Sequence, residues 1–290
     1  MVSDLLGDIS VDYVKRPGGS LVGEHIHTHY EISVVLSGKM TVTNNGKHFD
    51  AEAPCVILHF PGSFHTVISA EGTLYERYNI NYTTECFKDS RMLLDCTEKL
   101  FLTNGAVLPV DDDTINELLY YLKPLYAEKS GGEKKSALLC VLLCVLNERL
   151  CDRLRPDDRK GSYINGVLRY IADNLSPVMT AESISAEFFV SRAKLTADFR
   201  SETGMTLKRY TELLTVERAK RLLYEGKPVG VAAKEAGFSD SAAFIRTFRR
   251  MTGQTPGEYQ RRALSGAGEL TEVSGGDLPV RAESMEIYGQ

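Results

Sequence analysis

The sequence has no Cys-x-x-Cys pair among its six cysteines and no histidine beyond His65. The missing pair removes support for a zinc ribbon, a zinc finger or a thioredoxin-type redox motif. The most apolar run, Ala137 to Leu146, is about half of the ~20 residues that a membrane span needs, so no membrane partner is expected. Met1-Val2-Ser3-Asp4 opens the chain without a basic or an apolar leader segment, which makes a reducing cytoplasm the expected location. With 43% hydrophobic residues, wholesale disorder is excluded.

What the 290 residues do contain is unevenly placed. All six histidines lie between His25 and His65, and all six cysteines between Cys55 and Cys151. Cys140, Cys144 and Cys151 follow a helical spacing that reads as buried thiols. The net charge of -5 hides a division. Residues 1–158 carry 15 Lys and Arg against 23 acidic residues, a net -8, while 159–262 carry 18 against 11, a net +7. The tail, 263–290, nets -4 and is Gly- and Ser-rich without periodicity, so it is expected to be disordered. A basic block between acidic ones suggests a polyanionic partner for that block alone.

Hydrophobic patterning gives the architecture. From 1 to about 110, short β-favouring runs alternate with turn signals such as Ser37-Gly38, Asn45-Gly46 and Pro61-Gly62, which predicts an all-β barrel or sandwich. Residues 111–158 predict helices, the first opened by a Thr114 and Glu117 capping box, the second running from Lys134 to Leu154. The apolar face Leu138, Leu139, Leu142, Leu146 and Leu150 is a candidate dimer surface or a face packed onto the β-domain. Arg155 to Asp158 forms a plausible linker.

The basic block, 159–262, is helical and holds one plan twice. Thr180 opens a short helix to Glu187, and after a tight break Ser191 caps a second helix to about Thr203. The copy runs from Val229 to Ala236, turns at Gly237-Phe238-Ser239, and restarts with Asp240 as the cap. This is a tandem helix-turn-helix plan, whose second helices suit the DNA major groove while their N-terminal amides sit near phosphate. A long helix, Tyr210 to Tyr224, would fix their separation. Phe188, Leu195, Phe199, Phe238, Phe244 and Phe248 read as core, and Arg246, Arg249 and Arg250 share a face.

The segment Ala236-Gly237-Phe238-Ser239-Asp240, with Phe244, Phe248, Thr252-Gly253, Thr255-Pro256 and Tyr259, resembles the C-terminal signature of the AraC/XylS family of transcriptional regulators. Ser191, Leu195, Phe199, Glu202-Thr203-Gly204, Tyr210 and Glu217 to Leu223 resemble its upstream part. The resemblance implies base-reading positions at Ala193, Thr196, Ala197, Ser241, Ala242 and Arg246, with Arg192, Lys194 and Arg200 positioning the first reading helix on phosphates. Only Arg246 among them is a strong base reader by type. Asp198 stands where the family usually has an apolar residue and Ala232 where it has Ile, which predicts weaker local packing.

In the β-domain, Gly19-x5-His25-x-His27-x3-Glu31-x6-Gly38 resembles the first motif of the cupin superfamily, and Gly62-x2-His65 part of the second. The resemblance implies a cupin-like sensor with two occupants open. One is a small-molecule effector, a sugar by family habit, contacting His25, His27, Tyr30, Glu31, Phe64 and His65, with no cofactor required. The other is a divalent metal on His25, His27, Glu31 and His65. In one uninterrupted strand His25 and Glu31 would lie ~20 Å apart, so a shared metal requires a turn after His27. His29 reads as a pocket or surface residue, and His48 and His59 as structural.

The expected function is therefore a non-enzymatic, effector-controlled transcriptional regulator, homodimeric, with promoter DNA and RNA polymerase as partners. The alternatives are a metal-dependent cupin enzyme fused to a DNA-binding module, and a β-domain that is purely a dimerisation unit.

Overall fold

The computed structural model describes residues 9–19, 21–45, 47–83, 90–101, 106–128, 132–151, 163–176 and 179–266. The expected linker at 155–158 and nearly all of the expected disordered tail lie outside the described residues.

The N-terminal strands are β1 (Ile9–Pro17), β2 (Leu21–His25), β3 (Tyr30–Ser37), β4 (Lys39–Asn44), β5 (Lys47–Glu52), β6 (Cys55–His59), β7 (His65–Ser69), β8 (Leu74–Tyr82) and β9 (Ala106–Pro109). They form two antiparallel sheets, ordered β1-β8-β3-β6-β9 and β2-β7-β4-β5. Strands β4 and β5 form the expected hairpin, with Asn44 opposite Lys47 and Asn45 at φ 47°, while Gly46 lies outside the described residues. Such a positive φ is what a two-residue hairpin turn demands.

Alternation along the strands divides the interior in two. Val35, Cys55, Ile57 and Tyr75 join Met40, Val42 and Val67 in a core between the sheets. Their neighbours Ile32, Val34, Val56, Leu58, Tyr78 and Ile80 face the other way, into a core shared with helices. Three of these helices are α1 (Arg91–Leu100), α2 (Asp112–Ala127) and α3 (Gly132–Leu150). The cap of α2 is Asp111, whose carboxylate accepts the Thr114 N–H at 2.9 Å, and not Thr114. An acceptor three residues earlier satisfies the orphan amide that the expected Thr114 cap would have left one turn behind. Helix α3 begins earlier than the Lys134–Leu154 expectation, whose last three residues lie outside the described residues. Its Leu139, Leu142, Leu146 and Leu150 are buried inside the chain's own core, so the face read as a dimer surface is already covered. Cys140, Cys144 and Cys151 are only half-buried, lying at the margin of that face.

The C-terminal helices are α4 (Tyr163–Asp173), α5 (Ala181–Glu187), α6 (Arg192–Thr203), α7 (Leu207–Tyr224), α8 (Val229–Ala236), α9 (Ser241–Thr252) and α10 (Pro256–Gly266). Helix α10 continues four residues beyond the expected end of the folded block. Helix α7 bridges two cores. Leu207, Tyr210 and Leu214 join Leu195 and Phe199 of α6 in the core continuous with the β-domain. Val216, Ala219, Leu222 and Leu223 join Ala232, Phe244 and Phe248 in a separate one. The first helix-turn-helix unit thus packs with the barrel, and the second around itself.

Candidate functional site

The cupin-like residues converge. The strand that carries His25 stops there, the chain turns through residues 26–29, and β3 starts at Tyr30. The required turn is present, and it brings His27 back toward the carboxylate. A register shift between Val22 and His25 sets His25 opposite His65 on β7, while Glu31 pairs with His59 on β6. His25 and His65 thus come from one sheet, Glu31 from the other, and His27 from the turn between them. One ligand atom from each of these four residues lies within 4.8 Å of every other. His27 Nε2 is 3.2 Å, and His65 Nε2 4.0 Å, from the Glu31 carboxylate.

Two further histidines brace the cluster. His59 stacks on His65 with ring centroids 3.7 Å apart, and His29 stacks on His27 at 3.9 Å. His65 Nδ1 sits 3.0 Å from the Ser63 carbonyl, which fixes its N–H on Nδ1 and leaves Nε2 as a lone-pair donor facing Glu31. Burial drives the His59 imidazole down to about 3 and holds those of His29 and His65 well below the usual range. Burial pushes the Glu31 carboxyl up, but His27, then His65 and His59, outweigh it and hold it well below the usual carboxylate range. His48 stands apart, with Nδ1 2.8 Å from the Thr43 hydroxyl.

Imidazole nitrogens and a carboxylate are donors that ligate a divalent metal once deprotonated. Among the described residues, His27 Nδ1, both His59 ring nitrogens and His65 Nε2 are buried without a hydrogen-bond partner. A buried charge with orphaned nitrogens around it is costly unless a cation or donor completes it. Ligands ~2.1 Å from one ion span at most ~4.2 Å, within reach of the observed spacing by small side-chain shifts. The residues present therefore fit a divalent cation.

Tyr30 and Phe64 do not join this set. Tyr30 stacks on Tyr82 at 5.3 Å and meets the Phe101 ring at 4.8 Å, because consecutive strand residues point to opposite faces and Glu31 takes the inner one. Phe64 packs against the helical core, and its N–H donates to Asn45 Oδ1 at 2.9 Å. Sequence reasoning missed the polar ladder deeper in the barrel, where Arg77 donates to Ser33 Oγ at 3.0 Å and Ser33 donates to Asn79 at 2.6 Å. The every-second-residue run Arg77, Asn79, Asn81 was the signal available for it. An open groove of about 290 Å³ lies elsewhere, lined by Leu36 to Lys39 and Leu74.

The second surface is on the helices. Thr180 caps α5 in a full capping box with Ser183. Ser191 Oγ accepts the Lys194 N–H at 3.1 Å, and Asp240 accepts those of Ala242 and Ala243 at 3.2 and 2.8 Å. Both caps start the second helix of a motif. Ser191, Arg192, Ala193, Lys194, Thr196, Ala197 and Arg200 are all exposed, as are Asp240, Ser241, Ala242, Arg246, Arg249 and Arg250. Three cations are pre-engaged: Arg192 with Glu182 at 2.6 Å, Lys194 with Asp198 at 2.6 Å, and Arg250 with Glu212 at 2.9 Å. Arg246 makes no ion pair among the described residues. Asp198 weakens no packing: it lies at the α6 margin and also accepts the Tyr163 hydroxyl at 2.9 Å. Ala232 is fully buried in the second core.

Comparison with known proteins follows the same division. Residues 13–143 match the AraC-like ligand binding domain, and residues 184–262 match a helix-turn-helix domain. The Msm operon regulatory protein of Streptococcus mutans is 24% identical over 273 residues, covering 88% of this chain and 93% of that protein. The HTH-type transcriptional activator RhaS of Escherichia fergusonii is 23% identical over 268 residues, covering 88% and 93%. The crystal structure of ToxT from Vibrio cholerae covers 88% of this chain and 98% of that one with a TM-score of 0.53 at 11% identity, a likeness of fold. With a ligand-binding domain ahead of a tandem helix-turn-helix, and full-length relatives named as transcriptional regulators, this chain belongs to the AraC/XylS family of transcriptional regulators.

Proposed function

We propose that the chain reads promoter DNA with the exposed faces of α6 and α9 and that a divalent cation on His25, His27, Glu31 and His65 is its sensor ligand. The observation that carries the DNA reading is the pair of capped helices, each exposing its base-reading positions on a basic domain. Arg246 reads a guanine through its forked guanidinium, the small Ala193, Ala197 and Ala242 admit thymine methyls, and Arg200 and Arg249 meet phosphates. The cation would supply the positive charge that Glu31 and the orphaned imidazoles lack. Three imidazoles and a carboxylate suit first-row divalent metals.

A sugar fits this cluster poorly, because His29 stacks on His27 and His59 on His65, and His27, Glu31 and His65 are buried. A larger organic effector elsewhere in the barrel is the second reading, and one ToxT structure, described as unsaturated fatty acid bound, favours it for a related fold. Homodimerisation and contact with RNA polymerase belong to the same regulatory reading, with the dimer surface on some face other than the α3 leucines. The reading is of a regulator in the cytoplasm and not of an enzyme.

Selection from a random DNA pool tests the reader. A preferred sequence is expected, and Arg246→Ala should cost ~1–3 kcal/mol of binding and relax preference at one position. Enrichment of no sequence, with or without added metal, would remove the regulatory reading. Elemental analysis of protein purified without chelator tests the sensor ligand. Stoichiometric iron or manganese that turns over a substrate would favour the enzyme alternative instead.

A further inference from the structure

The segment between β6 and β7 is held at both ends of one short path. It leads into His65, the first residue of β7 and a member of the cluster. The Gly62 N–H donates to the His27 carbonyl at 2.7 Å, and the Gly62 carbonyl accepts the Tyr210 hydroxyl of α7 at 2.6 Å. One peptide unit to either side of Gly62 therefore separates a turn of the sensor cluster from the long helix of the DNA-binding domain. The Tyr210 hydroxyl also lies 3.4 Å from the Leu168 carbonyl of α4, and the whole side chain is buried.

Close approach at this point is built into the sequence. Gly62 has φ 82°, and a Cβ placed on it would sit 2.3 Å from the Tyr210 hydroxyl and 3.2 Å from Ala172. Only glycine meets both demands. Nearby, Arg169 of α4 holds the Phe101 carbonyl and lies 6.0 Å above the Phe60 ring. The seam is thus a packed polar contact with specific partners.

Resting on the reading of the cluster as a cation site, we propose that Tyr210 reads the state of that cluster through Gly62. Drawing the His27 and His65 side chains onto a shared ion loads the His27 carbonyl that accepts the Gly62 N–H and the backbone three residues after Gly62. The Tyr210 hydroxyl then follows the Gly62 carbonyl or loses it, and α7 shifts with it. Because α7 carries the first helix-turn-helix core on one half and the second on the other, its shift changes how the two reading helices are set against each other. Tyr210 is a positioning residue here. It touches neither the ion nor DNA.

The test uses the full chain, zinc(II) as probe, and a DNA fragment recovered from the random pool. Calorimetry reads zinc binding, and a gel shift reads DNA affinity with and without zinc. Wild-type protein is expected to bind one zinc and to change its DNA affinity by roughly 5- to 150-fold, the usual span of coupling between sites. Tyr210→Phe keeps the ring and its packing on Phe199. It is expected to bind zinc within a few-fold of wild type while its DNA response falls below twofold. Full response in Tyr210→Phe, or zinc binding by wild type with no DNA response, overturns the relay and leaves the cation site standing. No zinc binding by wild type, with DNA binding intact, overturns the cation site and the relay together. Hydrogen exchange on wild-type protein probes the same relay without a variant. Zinc is expected to alter protection in 60–65 and in the first two turns of α7, and a change confined to the barrel overturns the proposal.

Discussion

At the residue scale, each functional position is set by a local chemical demand. Asp240 shows this for the reading helix: its carboxylate takes two orphan amides, and those backbone N–H groups, Ala243 first and then Ala242, hold its pKa below the usual aspartate value. A depressed carboxyl pKa means stability that is present above the unfolded value near 3.8 and lost as pH falls through the folded one. Asp240→Ala is therefore expected to lower the urea midpoint at pH 7, and the difference from wild type should close as the pH falls below the unfolded value and through the lowered folded one. Phe189 shows the opposite case. It sits in the turn of the first motif at φ 53° and is 96% exposed, so a bulky residue holds a left-handed conformation with no packing in return. Phe189→Asn should stabilise the chain by ~0.5–1 kcal/mol in urea unfolding, since asparagine tolerates that region. The spacing of His25, His27, Glu31 and His65 is legible as a ligand set through its resemblance to the cupin motifs, and each residue type suits that chemistry. Tyr30 is not placed by its type, which suits a pocket, because its strand parity sends it to the other face.

At the element scale, helices are easier to read from sequence than what they pack against. The caps Thr180, Ser191 and Asp240 mark helix starts by local hydrogen bonding, which involves only residues two or three positions away. The opening of α2 is ambiguous in sequence because Asp111 and Thr114 are both competent caps, and the backbone accepts the earlier one. Helix α3 is the harder case. A leucine stripe reports that something covers it but not whether the cover is another copy or the same chain. In the fold, α1 and α2 pack on it, within a core continuous with the β1-β8-β3-β6-β9 sheet. Leu142→Ala is expected to cost ~2–5 kcal/mol, as for a large-to-small core change. The penalty should be the same in urea unfolding at low and high protein concentration, whereas an interface residue would show a concentration-dependent loss.

At the scale of the whole molecule, the two reading units differ in what holds them. The first shares a core with the sensor barrel through Ile164, Leu168, Leu195, Phe199 and Tyr210, while the second is closed by Phe244, Phe248 and the last turns of α7. Cooperative opening follows contiguous cores. Native-state hydrogen exchange is therefore expected to show α8–α10 opening together at a lower free energy than α4–α6, which should open with the barrel. A single common opening for all seven helices would contradict that division. The same arrangement suits a regulator, since a sensor fixed to one reader and free of the other can change the spacing between them.

The sequence by itself determined the two folds, their order along the chain, the basic reader and the four candidate ligands. The folds, their order and the basic block follow from periodicity and charge, and the four ligands from the resemblance of their spacing to the cupin motif, all of which are local along the chain. Only the tertiary structure decided that His25 and Glu31 meet, that the α3 leucines face inward, and that Gly62 rests on Tyr210 across 148 positions. Those outcomes depend on which surfaces come together when the chain closes, and residues so far apart in sequence leave no periodic trace of their contact.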